Sequence, residues 1–119
     1  PEFAALMKSE MRSEKLSFSC CGAPDFMRML NAQDRRQILL TGIESHVCVY
    51  QTGMDLLNME YEVQVVTDAV SSRTLENKLT GIQKLRDSGA KITSAEMALF
   101  EMLKAAEGPK FKEILKIVK

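Results

Sequence analysis

The sequence predicts an α/β fold, a three-layer α/β/α arrangement around a parallel sheet. Two observations carry this. From Arg36 onward, short β-like runs alternate with amphipathic helical stretches. The segments between those runs are long enough to hold a helix, which is what parallel neighbours require. Right-handed crossovers then follow from chain chirality. Three such strands make a thin sheet, and a parallel sheet needs cover on both faces. Either the segment before Arg36 adds to it, or further strands lie outside this chain.

The elements follow in order. Residues 15–20 form a possible strand, and 24–31 a helix with Phe26, Met27 and Leu30 apolar. Residues 37–41 are a short apolar run ending at Gly42, a buried strand. Ser45 supplies an N-cap for a helix to about residue 58, with Val47, Tyr50, Met54 and Leu57 on one face. Val63, Val65 and Val66 make the next strand, which ends at Thr67-Asp68. Ser71 to Thr74 can cap a helix whose stripe is Leu75, Leu79, Ile82 and Leu85, with Gly89 beyond its end. Lys91-Ile92-Thr93 is a third, short strand. Thr93-Ser94-Ala95-Glu96 reads as a capping box opening a helix with Met97, Phe100 and Leu103 inward. Gly108-Pro109 breaks the chain before a terminal helix marked by Phe111, Ile114, Leu115 and Val118.

A length of 119 residues fits one small domain spanning 1–119, near the size where a single core suffices. Sixteen basic residues balance sixteen acidic ones, so charge gives no reason to expect nucleic acid or an anionic membrane as partner. No apolar run approaches membrane-spanning length. Three cysteines, two of them adjacent, make a poor disulfide framework and point to a reducing, cytoplasmic setting. Pro1-Glu2-Phe3 has no opening Met, which suggests that the sequence begins inside a larger domain.

Ligands of open α/β sheets bind beyond the carboxyl ends of the strands. That rule selects residues 42–48, 68–73 and 93–96, and only the first group holds a strong nucleophile, Cys48. With Ser45 as N-cap, Cys48 sits in the first helical turn. Unpaired N–H groups and the positive end of the helix dipole there favour thiolate over thiol. The same N–H groups could receive an oxyanion. Position alone weighs this equally with a buried, inert cysteine.

His46 is the only histidine. Two residues from Cys48, it points to another side of a helix and reads as a partly exposed first-turn residue rather than a base. A single histidine and the adjacent pair Cys20-Cys21 also lack metal-ligand spacing, so no metal and no cofactor are expected. The pair reads as structural, with redox sensing a minor option. Asp68 could be a catalytic carboxylate, but turn preferences favour a loop or cap role by roughly two to one. The methionines read as core filler, and Lys110, Lys112, Lys116 and Lys119 as the solvated side of the last helix.

Residues Leu39 to Thr52, with Gly42-Ile43-Glu44-Ser45-His46-Val47-Cys48 at their centre, resemble the nucleophile segment of the isochorismatase-like hydrolases. Val65 to Arg73 resembles that family's next strand and loop. Thr93-Ser94-Ala95-Glu96 and Pro109 to Ile114 resemble its isochorismatase domain-containing subgroup. The likeness runs in order from about Lys15 to Lys119, and the segment around Cys48 is its specific part.

The resemblance implies a Rossmann-like isochorismatase-type fold with its N-terminal strands missing here. It implies a catalytic Cys, Lys and Asp. Cys48 matches the Cys, and Lys15, before Leu16-Ser17-Phe18-Ser19, matches the Lys. It implies a cis peptide between Ile43 and Glu44, with the backbone N–H groups of Glu44 and Cys48 as the oxyanion hole. The Asp would lie at the end of a first strand preceding this chain, and Asp25 and Asp34 fall in no matching motif. The function implied is hydrolysis of a small amide through a thioester, by a homo-oligomer. The alternative is an inactive member acting in protein association. A nuclease is opposed by the neutral charge and the lack of a basic stripe.

Overall fold

A computed structural model describes Leu6 and residues 11–118. Helix α1 (Pro24–Ala32), strand β1 (Gln37–Ile43), helix α2 (Tyr50–Asn58), strand β2 (Glu62–Ser71), helix α3 (Leu75–Asp87), strand β3 (Lys91–Thr93), helix α4 (Ala95–Leu103) and helix α5 (Pro109–Val118) follow in order. A 3-10 turn (Cys20–Gly22) precedes α1, and a π-helical turn (Ser45–Val49) joins β1 to α2.

The three strands are parallel in the order β1-β2-β3, as the alternation of elements predicts. Ile38 pairs with Val63 and Leu40 with Val65, which sends these side chains to one face. There they meet α2 and α3 in a core of Val49, Leu56, Val63, Val65, Val70, Leu85 and Ala90. Leu56, Val65 and Leu85 are 0% exposed and mark its centre. Gly53 lets α2 approach closely: a Cβ there would lie 2.5 Å from Leu85 and 3.2 Å from Leu40. On the other face, α4 leans over Leu39, Glu62 and Gln64 through Ala98, lining a cleft of about 740 Å³.

Several boundaries differ from the sequence expectation. β1 and β2 run on to Ile43 and Ser71, beyond their apolar runs. Their pairing slips between Leu40 and Gly42, where Gly42 has φ +119°. A bulge of this kind bends the strand as it approaches the turn that follows. Residues 15–20 do not form a strand. Lys15 Nζ donates to the carbonyls of Ser17 and Phe18, which curls the segment, and Ser19 caps the 3-10 turn.

Ser45 is not an N-cap. Glu44 holds the extended cap conformation, and Ser45 is 1% exposed with its hydroxyl unpartnered among the described residues. The cap of α4 is Ser94, whose Oγ accepts from Met97 N at 3.1 Å, so the expected box is displaced by one residue and Glu96 does not reciprocate. The α3 stripe is half covered. Leu85 is buried and Ile82 partly so, but Leu75 and Leu79 are exposed. Met97 is also exposed, and the smaller Ala98 faces the sheet in its place. Thr74 caps α3 as expected, accepting from Asn77 N.

Candidate active site

The bulged end of β1 delivers the chain into the π-helical turn. The Ile43–Glu44 peptide is cis, as the resemblance implies. In the turn, the carbonyl of Glu44 accepts from Val47 N and from Val49 N, both at 3.1 Å. That carbonyl passes over the intervening Cys48 amide. A π-helical turn of this sort is a recurrent feature of functional sites.

Cys48 is half-buried and its thiol is free. Lys15 Nζ lies 3.6 Å from Cys48 Sγ. Two carbonyls aim that ammonium, Ser17 O at 3.0 Å and Phe18 O at 2.9 Å. The two side chains singled out in the sequence, separated by 33 positions, thus meet in space. Neither bonds a carboxylate among the described residues. Asp25 is paired with Arg28 in the first turn of α1, and Asp34 lies in a turn with φ +50°.

The loop after β2 closes against the start of the turn. Glu44 Oε1 accepts from Arg73 Nε at 2.9 Å and from Arg73 N at 3.3 Å. His46 Nδ1 is 2.9 Å from Ser72 Oγ. Histidine's partner is therefore a loop serine rather than the thiol. Ser72 and Arg73 read in the sequence as capping residues and as part of the loop beyond the second strand, with no partner named for either. Their pairing with Glu44 and His46 spans 26 and 29 positions and leaves no local trace.

Asp68 has the structural role that turn chemistry favours. Its Oδ1 accepts from Ala95 N at 2.8 Å, at the start of α4. Cys20 and Cys21 lie in the 3-10 turn behind the lysine loop, and neither is disulfide-bonded. Burial pushes the Cys21 thiol above its ordinary value of 9.0, offset in part by the hydrogen bond from Ser19 and reinforced by the Asp55 carboxylate. Among the described residues, no three His, Cys, Asp or Glu side chains gather as a metal site. No helix among them is long and apolar enough to cross a membrane.

The pattern of the isochorismatase domain matches residues 1–97. The chain belongs to the isochorismatase family. It is 46% identical over 108 residues to a secreted isochorismatase effector, Isc1, of Phytophthora sojae, covering 89% of this chain and 51% of that protein. It is 40% identical over 104 residues to isochorismatase domain-containing protein 2 of Xenopus laevis, covering 87% of this chain and 51% of that protein. The chain thus spans about half the length of these curated relatives.

Among solved structures, the MAR1 ribonuclease of Caenorhabditis elegans superposes with a TM-score of 0.78 at 36% identity, covering 87% of this chain and 53% of that one. A pyrazinamidase/nicotinamidase of Streptococcus mutans superposes with a TM-score of 0.68 at 28% identity, covering 77% and 53%. The isochorismatase-type α/β/α fold expected from the sequence is the fold of these neighbours. The isochorismatase-family chain described here carries its parallel sheet and its helices in the same layers.

Proposed function

We propose that residues 1–119 are the C-terminal portion of a single cysteine-dependent hydrolase domain that cleaves a small amide through a thioester. The observation that carries this reading is the Lys15 ammonium 3.6 Å from the Cys48 sulfur. A cation at that distance stabilises negative charge as it develops on the sulfur. The amide-hydrolysing name of the Streptococcus mutans neighbour supports the choice of bond.

A base removes the thiol proton, a role the family resemblance gives to an Asp preceding this chain. Cys48 Sγ attacks the amide carbonyl carbon, and the negative charge on oxygen is received by the N–H groups of Glu44 and Cys48. The C–N bond breaks and the amine leaves with the proton. Water then attacks the thioester, releasing the acid and restoring the thiol. Lys15 holds the sulfur through its hydrogen bond. No cofactor enters these steps.

The test is turnover of an amide panel, nicotinamide included, by the full-length protein. Hydrolysis with an acyl adduct on Cys48 in the mass spectrum is the expected result, lost in Cys48→Ala. A variant Cys48→Ala that keeps full turnover would overturn the reading. Labelled RNA belongs in the same panel because of the name of the nematode neighbour. The balance of 16 basic and 16 acidic residues weighs against it.

A second reading is association without catalysis, left open because no carboxylate among the described residues bonds Lys15 or Cys48. A stable homo-oligomer in analytical ultracentrifugation, with no hydrolysis anywhere in the panel, would favour it. A homo-oligomer that hydrolyses an amide fits the first reading. Free cysteines suit a reducing compartment such as the cytoplasm, whereas the Phytophthora relative is named as secreted.

A further inference from the structure

We infer that Asp55, acting with Thr52, is a positioning residue that holds Lys15 against Cys48. This rests on the reading of Cys48 and Lys15 as a reactive pair.

Cys48, Thr52 and Asp55 are spaced by four and three along the turn and helix α2, so they share one face. The lysine loop is fastened to that face below the thiol. Asp55 Oδ2 accepts from Ser19 Oγ at 2.6 Å. Thr52 Oγ1, in a residue 3% exposed, accepts from Cys20 N at 2.9 Å. Ser19 Oγ in turn accepts from Cys21 N at 3.1 Å, and Ser19 O accepts from Ser17 Oγ at 2.7 Å. Each bond lies one to three residues from the carbonyls of Ser17 and Phe18, which aim the ammonium of Lys15.

Apolar packing does little of this work at the lysine itself. Leu16 is fully exposed and Phe18 largely so, Cys21 alone of residues 15–21 packs against the core, and among the described residues the segment pairs with no strand. A loop with so little apolar anchorage stays in place mainly through its hydrogen bonds. A carboxylate accepting from a hydroxyl is among the stronger of these. Loss of the Asp55 acceptor leaves the buried Ser19 hydroxyl proton without an acceptor and loosens the loop, with only the Thr52 bond still tying it to α2. The ammonium then leaves the sulfur, although Asp55 touches neither group.

The experiment is the rate of iodoacetamide alkylation at Cys48 against pH, read by peptide mapping of the full chain. The variants are Asp55→Ala, Asp55→Asn, Ser19→Ala, Thr52→Val and Lys15→Ala, with circular dichroism as the fold control. Lys15→Ala is expected to slow alkylation near neutral pH by at least about tenfold and move the profile to higher pH, as removal of one adjacent cation does. Asp55→Ala is expected to match it, and to add nothing in the double variant with Lys15→Ala. Asp55→Asn keeps an acceptor and is expected to restore most of the rate.

If Asp55→Ala does not fold, Ser19→Ala and Thr52→Val test the same tether. A normal Cys48 profile in folded Asp55→Ala or Ser19→Ala, beside a shifted one in Lys15→Ala, overturns the tether alone. An unshifted profile in Lys15→Ala overturns the reactive pair itself.

Discussion

Gly81 of α3 lies against Ser45 so closely that a Cβ at position 81 would sit 2.6 Å from the Ser45 carbonyl oxygen. The Cα of His46 is 2.8 Å from the same point. Both obstacles are backbone, so no side chain can swing aside. The helix after β2 is thus seated directly on the turn that carries Cys48, and their spacing is set by the absence of one methyl group.

Gly81→Ala tests that seat. In an open helix alanine would gain about 1 kcal/mol over glycine. Overpacking of a filled site costs about 1–3 kcal/mol. Against rigid backbone the second effect wins, and a net loss of up to about 2 kcal/mol is expected in urea denaturation. The turn must shift to make room, so alkylation of Cys48 should slow in the folded variant. An equally stable Gly81→Ala would show that the contact yields freely.

Leu56 and Leu79 separate the covered from the uncovered part of the helical stripes. Leu56 is 0% exposed in the core, so Leu56→Ala is expected to cost about 2–5 kcal/mol through lost burial and the cavity left behind. Leu79 is 55% exposed, so Leu79→Ala should stay within about 0.5 kcal/mol. Denaturation midpoints compare the two directly, and a costly Leu79→Ala would mean that this side chain is covered in solution.

Cys21 makes stability depend on alkaline pH. Burial raises its folded value above the ordinary 9.0, so the folded state holds the proton more tightly than the unfolded chain. Its contribution is fully present below the unfolded value and is lost as pH rises through the folded one. Stability of the native sequence should therefore fall as pH rises past the ordinary thiol value of 9.0, and fall less in Cys21→Ala. Parallel curves for the two proteins would contradict this.

Arg73 and Glu44 make an ion pair in which the arginine side chain is 82% exposed. Solvent screens such pairs, and Arg73→Ala should change stability by under about 1 kcal/mol. The backbone N–H of residue 73 can still reach Glu44 in that variant. A larger loss would mean that the guanidinium holds the loop by itself.

The parallel sheet was legible because its signals are local: β-branched runs such as Val63 to Val66, separated by helical stripes. The cysteine was legible for the same reason, since strand, glycine and thiol adjoin in Gly42 to Cys48. Features that depend on distant partners were not. The run from Lys15 to Cys20 imitates a strand, but the Lys15 ammonium takes the loop's own carbonyls and curls it. Ser45 has the right chemistry for a cap, yet the chain enters the helix one residue earlier, and the serine is swallowed beneath Gly81. The Thr52 and Asp55 anchors left a faint signal, polar residues at helical spacing from Cys48. Their partners, 32 and 36 positions away, left none.

The most direct measurement is competitive labelling of the three cysteines with limiting iodoacetamide at neutral pH, followed by peptide mapping. Modification of Cys48 well ahead of Cys20 and Cys21, with that lead lost in Lys15→Ala, is the predicted result. Equal labelling of all three, or a Cys48 lead that survives removal of the lysine, would contradict the account.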